Sequence, residues 1–199
     1  MSKRFGIIAL IKITALILVG LCCSCASTTL PPKLTPDQMK IISATSFRAT
    51  VGVEEFKYPV YSKKLIKALQ ETHLFERVDD LGAFQEAPTF IARVERPTHG
   101  FAGIPLSTIF SLGIIPSTFE EAHGYSFSLV PTASQSEKIS IEFSYEGPST
   151  LGWWALFLNL QPNRTVGDVY KNKRMIQSLA WEILTHSDQI NRFAKSAGT

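Results

Sequence analysis

The chain has 199 residues, 45% hydrophobic and 19% charged, the composition of a globular protein and not of a disordered or fibrous one. Its formal charge is +3, and Lys3, Arg4 and Lys12 account for that whole excess. Beyond them basic and acidic side chains balance, so no basic field draws the protein toward nucleic acid, and no nucleic-acid partner is expected.

The N-terminus is the first element. Lys3 and Arg4 precede an apolar stretch from Phe5 that is broken once, by Lys12, and continues as ITALILVGL from Ile13 to Leu21. A basic start, a short apolar stretch and small residues at its end have the form of a secretory leader. A permanent anchor is the alternative, because the stretch from Phe5 approaches the ~20 apolar residues that a spanning helix needs. All three cysteines then fall between Cys22 and Cys25. Zinc sites need separated ligand pairs or partnering histidines, so a metal role for this cluster is not expected.

The stretch LVGLCCSCAS resembles a bacterial lipoprotein signal, in which small residues lead to a cysteine that is lipidated and becomes the new N-terminus. Cys25 fits best, since it follows the small Ser24; Cys22 and Cys23 follow bulkier residues and are held in reserve. The resemblance implies a cleaved signal peptide over 1–24 and a palmitate-type lipid anchor on Cys25. Ala26 stands where an aspartate would signal inner-membrane retention, which implies an outer-membrane location facing the periplasm. The mature chain then has no other cysteine and no possible disulfide.

Residues 25–40, with Pro31, Pro32 and Pro36 among small polar neighbours, read as a flexible tether. Residues 41–199 read as a single periplasmic α+β domain. Phe47, Ala49, Val51 and Val53 alternate with Arg48, Thr50 and Gly52, the period of a half-buried strand. Pro59 opens a helix whose Tyr61, Leu65, Ile66 and Leu69 share a face opposite Lys63, Lys64, Lys67 and Gln70. Short strands follow near Phe75–Val78 and through Phe90, Ala92 and Val94, the latter stopped by Pro97. Two more alternate through Tyr125, Phe127 and Leu129, and through Ile139, Ile141, Phe143 and Tyr145, with the hairpin-sized PTASQSE between them. Near the end Ile176, Leu179, Ala180, Ile183 and Leu184 form the strongest helical stripe. The fold class expected is α+β: a mixed sheet of about five strands with two helices packed on one face.

VGVEEF…LIKALQETHLFERVDD is similar to the opening of small bacterial envelope lipoproteins with a TolB-N-terminal-like α/β pattern. His73 stands where such turns often carry glycine. The resemblance bears on fold and location and carries no catalytic residue across.

For chemistry, His73, His99, His123 and His186 form no HExxH or other close pair. His123 beside Glu120 and Glu121 reads as the solvated start of a strand. No GxSxG, GxGxxG or phosphate-binding loop occurs. An enzyme is therefore not expected, nor is a cofactor or metal. Two charge-free runs stand out: Gly100–Pro116, with Phe101, Ile104 and Phe110, and LGWWALFLNL at 151–160, with Trp153, Trp154 and Phe157. On a strand, adjacent tryptophans face opposite sides, so one indole of the pair points outward unless something covers it. These residues are the candidate apolar docking surface, against a buried core layer as the alternative. The function expected is a periplasmic binding or assembly module of the cell envelope, with an envelope protein or lipid as partner. The alternative is a transport auxiliary that shields an apolar or lipid ligand.

Overall fold

The structure, a computed structural model, describes residues 26–96, 115–134, 136–152, 154–158 and 160–197. In chain order the strands are β1 (Ala26–Thr29), β2 (Phe47–Val53), β3 (Phe75–Asp80), β4 (Phe90–Arg96), β5 (Ser117–Pro131), β6 (Ile139–Leu151) and β7 (Arg164–Val166). The helices are α1 (Pro36–Ala44), α2 (Pro59–Thr72), α3 (Trp154–Leu158), α4 (Lys173–Thr185) and α5 (Ser187–Ala197). The fold is α+β, built on a mixed sheet of order β3-β2-β4-β5-β6-β1-β7. Among the described residues the sheet has seven strands and not five, because β1 and β7 are too short to show an alternation. The helices exceed the two expected, with α1, α3 and α5 added.

The stretch read as a tether holds β1 and the start of α1. The physical reason for α1 is local. Thr35 Oγ1 accepts from the Gln38 amide at 3.3 Å, while Gln38 Oε1 accepts from the Thr35 amide at 2.8 Å. This reciprocal box satisfies two donors at the helix start, and Pro36 stands at the first helical position, where it loses no hydrogen bond.

The chain forms two compact units, with β5 and β6 running through both. The larger holds β2, β3, β4, the hairpin-side portions of β5 and β6, and helices α1, α2, α4 and α5. Here β2 pairs in parallel with both β3 and β4, and β4 pairs antiparallel with β5, Ala92 opposite Leu129. Phe47, Ala49, Val51, Phe90, Ala92, Phe127, Leu129, Ile139 and Ile141 merge with Leu65, Leu69, Leu179 and Ile183 into one core. On the other face of the strands Arg48, Arg93 and Glu142 are exposed, as the two-residue period requires. The stripe expected on α4 is buried at every position named.

Helix α2 ends at His73, whose φ of 56° and ψ of 20° are left-handed. This is the turn for which glycine is the usual residue, and histidine adopts it at a steric cost. His73→Gly is expected to stabilise the protein by about 0.5–1 kcal/mol, net of glycine's larger unfolded-state entropy. A rise in Tm of about 1–4 °C checks it.

In the smaller unit β1 lies between β6 and β7 and is antiparallel to both. Ala26 stands opposite Leu151 and Thr28 opposite Ser149; on the other side Ser27 meets Val166 and Thr29 meets Arg164. Since β6 and β7 run the same way, their connection must cross over β1, and α3 lies in that crossover.

Candidate functional site

Cys22, Cys23, Cys25, Phe101, Ile104, Phe110 and Trp153 lie outside the described residues. The charge-free run at 151–160 is only partly described: Leu151 closes β6, and a helix follows. Residues Trp154–Leu158 are helical, so the argument from strand alternation does not apply to Trp154. Ala155 is fully buried, whereas Phe157 is 65% exposed and Leu160 is 85% exposed. Helix α3 packs on β1 and β7. Small hydroxyl groups line β1 and the end of β6. Ser149 Oγ donates to Thr28 Oγ1 at 3.2 Å, Thr29 Oγ1 donates to the Pro148 carbonyl at 2.9 Å, and Arg164 Nη1 donates to Thr150 Oγ1 at 3.1 Å. These bonds tie β1 to β6 and hold the Arg164 guanidinium to the end of β6.

The larger unit carries a concave feature, which the sequence did not single out. A shallow cleft with about 30 Å3 of free space, room for about one water molecule, is bounded by Tyr61, Lys64, Val94, Arg96, Tyr125 and Tyr170. Tyr170 comes from a short 3-10 turn, Val169–Lys171, whose start is capped by Asp168 Oδ1 accepting from the Tyr170 amide at 3.1 Å. Its ring meets those of His123 and Tyr125 edge-on, with centroids 5.8 and 5.4 Å away. The Lys64 ammonium stands 4.8 Å from the Tyr170 ring centre, a cation–π distance. Burial, and beside it Tyr170, holds the Tyr125 phenol well above the ordinary tyrosine range. It is therefore a neutral hydroxyl at any physiological pH. The cleft combines apolar walls and phenol groups with two cationic side chains, Lys64 and Arg96.

His123 is not at a solvated strand start. Strand β5 begins at Ser117, and from His123 to Pro131 every residue is buried, His123 being 4% exposed. His73 is the left-handed cap described above, and His186 Nε2 lies 4.0 Å from Glu182 Oε1 one helical turn back. His99 lies outside the described residues. Among the described residues no helix is long and apolar enough to cross a membrane. No protein-family model, curated protein or solved structure matches the chain.

Proposed function

We propose that the protein is an outer-membrane lipoprotein, anchored through Cys25 and facing the periplasm, whose α+β fold acts as a binding or assembly module of the cell envelope. The observation that carries this reading is the N-terminal pattern: Lys3 and Arg4, the apolar run to Leu21, then Ser24-Cys25-Ala26. The neutral balance of charge beyond the leader is in keeping with it, since such a protein needs no long-range attraction to phosphate. Lipid supplies the attachment, each buried CH2 contributing about 0.8 kcal/mol, so two or three acyl chains hold the protein firmly. Cys25→Ala is expected to leave an unprocessed precursor that incorporates no labelled fatty acid. Continued acylation of Cys25→Ala, with loss in Cys22→Ala, would move the anchor to Cys22.

The second reading is an auxiliary that shields an apolar or lipid ligand, which would have to widen the cleft, since its free space of about 30 Å3 holds no acyl chain. The cleft with Tyr61, Tyr125 and Tyr170 has Lys64 and Arg96 among its lining residues. Mass spectrometry of lipids that co-purify with the protein tests it: an amphiphile lost in Lys64→Glu supports the carrier, and no bound lipid removes it.

A further inference from the structure

We infer that the crossover between β6 and β7 rests on the bilayer that holds the protein's own lipid, with Phe157 and Leu160 in its interfacial layer. The inference rests on lipidation at Cys25. Its structural basis is the register of β1. Ala26, the residue after the anchor, stands opposite Leu151, where the crossover begins. Thr29 stands opposite Arg164, where it ends. The crossover therefore starts level with the lipid-bearing end of β1 and finishes level with its far end. At about 3.3 Å per residue, both ends of the crossover lie within roughly 13 Å of the anchor along the strand axis. Helix α3, between those ends, packs on β1 itself.

The chemistry of this segment matches the place. From Leu151 to Asn163 it carries no charged side chain, so no ionised group in it resists the loss of water at a lipid surface. Leu160 and Phe157 are among the most exposed large apolar side chains of the described residues, and both lie in this one stretch. Aromatic and leucine side chains interleaved with Asn159, Gln161 and Asn163 suit the boundary between headgroups and acyl chains. A second protein would have to be recruited to this surface. The bilayer is already there, because the anchor holds it at high effective concentration.

The test uses the absence of any free thiol from the mature chain. With Cys25 acylated and residues 1–24 removed, Leu160→Cys introduces a single reactive thiol, and at 85% exposure the substitution leaves the fold intact. The full-length lipidated variant is purified and labelled at that thiol with a nitrobenzoxadiazole fluorophore. It is then added to preformed phosphatidylethanolamine–phosphatidylglycerol vesicles. An unchanged melting curve confirms folding, and flotation reports attachment. The inference expects the floated label to lose most of its emission to lipids spin-labelled in the acyl chain, and to resist reduction by dithionite. A floated label that dithionite reduces as fast as free dye, with no lipid quenching, overturns the inference and leaves the anchor standing. A label shielded from dithionite but unquenched by lipid also overturns it, since a protein surface then covers the segment. Failure to float, with no diacylglycerol in the mass, overturns the anchored reading and this inference together.

Discussion

Leu179→Asp is expected to abolish the cooperative thermal melt of the soluble chain beginning at Ala26, a start that retains β1. Leu179 is fully buried on α4, at the centre of a stripe with Ile176, Ala180 and Ile183. It belongs to the same core as Phe47, Val51, Phe127 and Leu129 of the sheet. A carboxylate placed there loses its hydration and gains no cation in return. The uncompensated burial costs several kcal/mol, comparable with the ~5–15 kcal/mol that holds a domain of this size together. Near-ultraviolet circular dichroism through the melt measures it. A transition as sharp and as high as that of the unsubstituted chain would mean that α4 does not pack on the sheet.

Gly124→Ala is expected to cost about 3 kcal/mol or more, a large effect for one methyl group. A Cβ on Gly124 would overlap the Phe143 carbonyl oxygen and lie 2.8 Å from the Ser144 Cα. Both are backbone atoms of β6, so no side-chain rotation relieves the overlap, and the strands must separate. The same residue donates its amide to the Tyr170 hydroxyl at 3.3 Å, so the shift also disturbs the aromatic wall of the cleft. Gly82→Ala is the comparison. There the nearest atom to the added Cβ is Asp80 Oδ1, at 3.6 Å, and the change is expected to be neutral or slightly stabilising. The urea midpoints of the two variants measure the contrast, and equal midpoints would contradict the close approach of β5 and β6.

Much of the larger unit was legible in the sequence, because its strands and helices obey simple periods. The alternation from Phe47 to Val53 and the stripe from Ile176 to Leu184 each exist because one face is buried. The parts not read from the sequence have physical reasons of their own. ASTT in β1 and RTV in β7 carry too few apolar residues for any period, and their pairing depends on partners far along the chain. For α1 the signal was present: TPDQ is a capping box, passed over because Pro31, Pro32 and Pro36 suggested an extended tether. For α5 it was also present, in Ile190, Phe193 and Ala194 at helical spacing behind His186. Glu120 and Glu121 look like the start of a strand, which hides the burial of His123. Strand β5 begins three residues before them and is buried continuously from His123 onward. The cleft was not legible, since Tyr61, Tyr125 and Tyr170 meet only through tertiary packing. Of the candidate docking residues, the structure describes the exposure of Phe157 alone, and it is exposed.

The measurement that bears most directly on the central claim is the intact mass of the mature protein extracted from membranes, with fragmentation of its first residues. The account predicts a chain that begins at Cys25, lacks residues 1–24 and carries a diacylglyceryl group on the Cys25 sulfur. A chain that retains its leader, or one cut elsewhere and free of lipid, would contradict the account.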